Sequence, residues 1–139
     1  MKLNPDCVRA VMLKIEELHY YSVNDQEEIE NHPISIHRLF EALPKYDKDD
    51  IYYSLDLMEQ AGHISLSGSW LNNRFIECEV NYITFAGHDF LNSIRDPKHW
   101  TIIKKGLTSV RNYSLSAIGA IAEGVTSAAI DAYLQQSSS

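Results

Sequence analysis

Val8, Val11, Met12, Ile15 and Leu18 recur at three- and four-residue steps, which predicts an amphipathic first helix. Asn4-Pro5 starts it, the Asn side chain capping free N–H groups and proline taking the first helical position, where its missing donor is harmless. From Ser22 to Pro33 the period is lost among Asp25, Glu27, Glu28 and Glu30, and the stretch reads as an exposed, mobile connection. Ile34-Ser35-Ile36 then alternates as a short strand, and His37 to Leu43 offers Leu39, Phe40 and Leu43 as a short helix stopped by Pro44. A third helix runs from a cap at Asp47 to Ala61 with Ile51, Leu55 and Met58 inward, and Gly62 ends it.

Alternation returns in Ile64 to Leu66 and in Ile76 to Ile83, where Ile76, Cys78, Val80 and Tyr82 share one face and Glu77, Glu79 and Asn81 the other. A two-residue turn at Asn72-Asn73 sets Trp70 opposite Phe75, but uninterrupted pairing would then bring Leu66 against Glu79. One extra residue near Gly68-Ser69, a bulge, restores Leu66 opposite Val80 and Ile64 opposite Tyr82. Thr84 caps a fourth helix with Phe90, Leu91 and Ile94 inward, and Asp96-Pro97 starts a fifth with Trp100, Ile103, Leu107 and Val110 on one stripe. After a break at Asn112 to Ser114, a last helix carries Leu115, Ile118, Ile121, Ala122, Val125, Ala129 and Ala132 on one side, and fraying is expected from Gln135 on.

A helix followed by a twisted hairpin is the second half of a winged helix-turn-helix. The expected fold class is therefore α+β, mainly α: a winged helix-turn-helix over residues 1–96, a helical C-terminal extension over 97–136 and a disordered tail over 137–139. Met1 to Arg9, Tyr46 to His63, and Ile83 to Leu91 with Ile94-Arg95-Asp96 resemble an uncharacterised family of bacterial and phage proteins, domain of unknown function 2513. The resemblance covers roughly Met1 to Leu107. It implies a winged-helix-like fold and a bacterial or phage source, and it carries no known catalytic or binding residues.

Charge alters the picture a winged helix first suggests. The formal net charge is −7, and the third helix, which would enter a DNA groove, carries Asp47, Asp49, Asp50, Asp56 and Glu59 against Lys48 alone. The basic residues gather instead at Lys98, Lys104, Lys105 and Arg111, either a solvated face or a surface for weak, non-specific phosphate contact or for an acidic surface of a second copy. Aromatic side chains exceed what a small core uses, so Trp70, Leu71, Phe75, Tyr52 and Tyr53, with Asp49 and Asp50, form the candidate protein interface. The row Ala120, Gly124, Ala128 and Ala132 makes the last helix the candidate dimer contact.

The six histidines lack metal-ligand spacing, and Gly119 to Thr126 has the glycine spacing of a phosphate loop but places Val125 where lysine is required. No catalytic residue, metal or cofactor is expected. Cys7 and Cys78 read as small buried hydrophobes. Leu115 to Leu134 approaches membrane-span length but includes Glu123 and Asp131, so no membrane is expected, and with no signal-peptide pattern at the N-terminus the expected location is the cytoplasm of a bacterial host cell. The expectation is a non-enzymatic binding module acting on a protein partner, a regulator or inhibitor of a host protein, and a homodimer. The alternatives are a DNA-binding transcriptional regulator and, more weakly, an enzyme whose site assembles only in space.

Overall fold

A computed structural model of the protein describes residues 1–137. The elements are α1 (Pro5–Leu18), β1 (Tyr20–Val23), β2 (Ile29–His32), β3 (Ile34–Ser35), α2 (Ile36–Ala42), α3 (Lys48–Gln60), β4 (Ile64–Leu71), β5 (Arg74–Ile83), α4 (Phe85–Ile94), α5 (Pro97–Val110) and α6 (Leu115–Ser137). The protein is thus α+β and mainly α, with two small antiparallel sheets: β1-β2, and β3-β5-β4 with β5 central. Ser137 closes α6, so Gln135 and Gln136 are helical, and Ser138 and Ser139 of the expected tail lie outside the described residues.

Three of the predicted helix starts are built as read. Asn4 accepts from Cys7 N, Thr84 from Gly87 N, and Asp96 from Lys98 N and His99 N. Asp47 stands at the N-cap of α3 in extended conformation, but its exposed carboxylate is left to solvent and accepts no capping bond. Helix α1 buries Cys7, Val8, Val11, Met12 and Ile15, and α3 answers with Ile51, Leu55 and Met58; Cys7 and Cys78 are both buried free thiols. Ile103, Leu107 and Trp100 are buried on α5 as expected, whereas Val110 is exposed, because the helix ends beside it in a left-handed Arg111.

Helix α1 also ties the C-terminal helices to the body. The Arg9 guanidinium donates to the carbonyls of Ile94 and Arg95 at the end of α4, and Glu16 pairs with Arg95 at 2.6 Å. The Trp100 indole donates to Asp6 at 2.8 Å, and Lys104 pairs with the same carboxylate at 3.2 Å. Helix α6 packs on α5 and α4 rather than on α1, burying Ile118 and Ala122, with Ile121 against Gly106, where a Cβ would stand 3.0 Å away.

Two corrections concern the sheets. Residues 22–33 are not a structureless connection: β1 and β2 form a hairpin, Val23 opposite Ile29 and Tyr20 opposite His32. Its loop is closed locally, Asn24 Oδ1 accepting from the N–H groups of Gln26 and Glu28, with Glu27 left-handed at φ 61°.

In β4–β5, Asn72 and Asn73 both take positive φ in the two-residue turn and Trp70 pairs with Phe75, as expected; the first bulge falls at the expected level, but its extra residue is in β5, where Glu77 and Cys78 oppose Gly68. Leu66 meets Val80, but Ile64 meets Ile83 and not Tyr82, because a second bulge falls between Ser65 and Leu66. Asn81 is the additional residue there, its amide donating to Ser65 and Ser67. Each bulge reverses the facing beyond it, so Cys78, Val80 and Ile83 are buried while Ile76 and Tyr82, assigned to the core face by alternation, are exposed.

Candidate functional site

The two bulges leave the distal half of the β4–β5 hairpin leaning over α3. At the first, Gly68 has φ +143°, and a Cβ there would collide with the Phe75 ring and lie 2.8 Å from the Ile76 carbonyl oxygen. Phe75 is thereby set against Tyr52 of α3, ring centroids 5.9 Å apart, while Trp70 stands edge-to-face with Phe75 at 5.1 Å and with Tyr52 at 6.3 Å.

Opposite these rings α2 contributes Phe40 and His37, 6.1 Å apart in edge contact, and Lys48 Nζ lies 5.7 Å over the Phe40 ring. Together with Ile36 and Cys78 they line an open groove of about 490 Å³ that Asp49, Glu77 and Met1 also border. Burial, helped by the Glu59 and Glu79 carboxylates, pushes the Cys78 thiol up to about 11, which favours the protonated thiol at neutral pH. Burial likewise raises the Tyr52 hydroxyl, with Asp56 and Glu59 adding to it. The groove offers apolar surface, aromatic faces, two carboxylates and the Lys48 ammonium.

Of the predicted interface, Tyr52, Trp70, Phe75 and Asp49 converge here. Leu71 is exposed nearer the hairpin tip and does not line the groove. Tyr53 faces another depression, of about 600 Å³, with Lys2, Leu3, Leu57 and Tyr113, and its hydroxyl donates to the Met1 carbonyl. Asp50 serves α3 itself, its carbonyl accepting from Ser54 at 2.8 Å. Met1, Ile36, His37, Phe40, Lys48, Glu77 and Cys78 are the groove residues sequence reasoning missed. The available signal was that Leu39 and Leu43, four apart, face the core and turn Phe40 off that stripe.

Lys98 and Lys105, seven apart on α5, share a face, Lys104 is drawn to Asp6, and Arg111 lies beyond the helix end. Ala120, Gly124, Ala128 and Ala132 are all exposed on α6. Helix α6 is also, among the described residues, long and apolar enough to cross a membrane by length and composition.

The family comparison follows the same division. The model of one family, "Hypothetical protein (DUF2513)", matches residues 2–113. The chain belongs to this family. No curated protein and no solved structure matches it. The DUF2513 match takes in α1 to α5, and with them every groove residue but Met1, and stops two residues before α6 begins.

Proposed function

We propose that this DUF2513 protein is a non-enzymatic binding module of winged helix-turn-helix type that receives a segment of a partner protein in the groove between α2, α3 and the β4–β5 wing. The winged-helix reading is supported by the order α1, β3, α2, α3, β4, β5, into which the β1–β2 arm is inserted after α1, and by a sheet in which the strand before α2 pairs with the last strand of the wing. The observation that carries the function is the groove, where Tyr52, Trp70, Phe75 and Phe40 present aromatic surface between Asp49 and Glu77, with Trp70 59% exposed. Large aromatics that keep this much surface in the free protein are the residue type that anchors interfaces.

The partner segment inserts a bulky apolar side chain and places a basic residue near the carboxylates. DNA is the poorer occupant, because α3 and its N-cap Asp47 bring five carboxylates against one lysine, and that lysine is laid on Phe40. The test is selection of peptides from a random library on the immobilised protein, beside selection from random duplexes. Peptides carrying an apolar anchor should emerge, and their affinity should fall at least about tenfold on Trp70→Ala or Tyr52→Ala with the circular dichroism spectrum unchanged. A duplex motif bound at nanomolar affinity and lost on mutating Lys48 would make the protein a DNA-binding regulator instead.

A further inference from the structure

The β1–β2 arm is a two-stranded hairpin, an element with little stability of its own in water. It meets the body through Asn31, whose amide donates to the Asn81 carbonyl of β5 at 3.0 Å. On one face it presents Tyr21, Val23 and Ile29, exposed by 58%, 66% and 78%. Around them the chain has no Lys or Arg between Lys14 and Arg38, while Asp25, Glu27, Glu28 and Glu30 surround the loop.

Helix α5 is the converse. No Asp or Glu occurs between Asp96 and Glu123, and Lys98, Ile102 and Lys105 follow one another along a single exposed stripe, Ile102 52% exposed. Beside it Thr101, Lys104, Lys105, Thr108 and Ser109 line a shallow depression of about 610 Å³. The three ion pairs among the described residues are Lys14–Glu17, Glu16–Arg95 and Asp6–Lys104. They leave both the arm's carboxylates and Lys98, Lys105 and Arg111 unmatched. Within one copy the arm is joined to β5 through Asn31, whereas α5 packs on α4 and α6.

We propose that the β1–β2 arm docks on the exposed face of α5 in a second copy of this chain. Val23 and Ile29 cover Ile102 and the lysine stems, and the loop carboxylates Asp25, Glu27 and Glu28 face Lys98 and Lys105. The apolar contact supplies the burial, and the opposed charges supply orientation and a dependence on salt. This contact is independent of the groove and of the small-residue row on α6.

The test is sedimentation velocity on the full chain over about 1 to 300 µM, with two charge-reversed proteins. One is Asp25→Lys/Glu27→Lys/Glu28→Lys and the other Lys98→Glu/Lys105→Glu, all at exposed positions. The wild type should self-associate, about tenfold more weakly when salt is raised from low to high. Each variant alone should be monomeric, because its arm and its α5 then carry the same sign, and an equimolar mixture of the two should associate again. Ala128→Glu on α6 should leave association intact. A wild type that stays monomeric throughout, a mixture that stays monomeric, or association abolished by Ala128→Glu and untouched by the charge reversals would each overturn the proposal.

Discussion

The hairpin β4–β5 buries Ile64, Cys78, Val80 and Ile83, whereas every strand residue of β1–β2 is exposed or half-buried. The backbone pairing is of the same kind in both, so what differs is the source of order. The first is held by apolar area taken out of water and by a third strand, β3, alongside it. The second is held by polar bonds made at short range: Ser22 with His32 at 2.7 Å, His19 with Asn31 at 2.6 Å, Tyr20 stacked on His32, and Asn24 closing the loop. Bonds of this kind contribute about 1 kcal/mol each and compete with water, so the arm should open locally while the body stays folded.

Removing the same side-chain volume from each hairpin gives the largest contrast. Ile64→Ala should cost about 2 to 5 kcal/mol, because it empties a site under α3 and β5. Ile29→Ala, on the exposed arm, should change stability by no more than about 0.5 kcal/mol. Urea unfolding followed by far-UV circular dichroism measures both. Similar losses at the two positions would mean that the arm folds with the core as one unit.

That contrast also explains what could be read before the structure. The helix stripes and the Asn72-Asn73 turn were legible because burial enforces a period, and a period survives in the residue order. The arm was not, since nothing in it is buried, and its one local sign was Asn24, a residue able to close a turn with its own side chain. Tyr82 was misplaced for a related reason: the bulge at Asn81 is set by hydrogen bonds to Ser65 and Ser67, and alternation carries no trace of it. Four of the seven predicted interface residues meet in the groove: Tyr52, Trp70 and Phe75, because aromatics surplus to a core tend toward its edge, and Asp49 at its border. Tyr53 could not be separated from Tyr52 without knowing how α3 is rotated.

Backbone conformation sharpens the comparison at a smaller scale. Gly68→Ala puts a side chain at φ +143° and against Phe75, and should cost about 1 to 3 kcal/mol. It should also displace the Phe75 ring from Tyr52, which the near-UV spectrum would register. Glu27 on the arm already carries a side chain in the left-handed region, and Glu27→Gly should shift stability by no more than about 0.5 kcal/mol, the arm being outside the cooperative core. A Gly68→Ala protein of unchanged stability would mean that the β5 bulge can move along the strand.

Trp70→Ala is expected to cost about 1 kcal/mol, well short of the 3 to 5 kcal/mol of a buried large aromatic, because its ring keeps edge contacts with Phe75 and Tyr52 but is mostly open to water. A core-sized loss in a thermal melt would make the groove a structural seam and remove the support for its binding role.

The smallest effect expected is a pH dependence on the core side of the comparison. His63 opens the path into β4, stacks on Phe90 at 4.6 Å, and has a buried Nδ1 with no hydrogen-bond partner among the described residues. Burial holds its pKa below the ordinary 6.5, since a proton on this ring would place a charge and an unsatisfied donor out of water. The folded-state pKa is thus the lower one, and between it and 6.5 the unfolded chain binds the proton more readily. The stability owed to the neutral ring is complete above pH 6.5 and is lost as pH falls through that window, with no further loss below the folded-state pKa. Carboxylates act lower down. Arg95 holds Glu16 below 4.5; burial pushes Asp6 up, but the Trp100 indole and Lys104 overcome it and leave it below 3.8. Their contributions are present above those ordinary values and are lost only as pH falls through the depressed ones. His63→Phe keeps a ring to stack on Phe90 and removes the titration, so urea midpoints taken between about pH 7.5 and 5 should decline less steeply for the variant than for the wild type. Parallel slopes would show that this imidazole is protonated as easily in the fold as outside it, and that the junction of α3, β4 and α4 is as open to water as the arm.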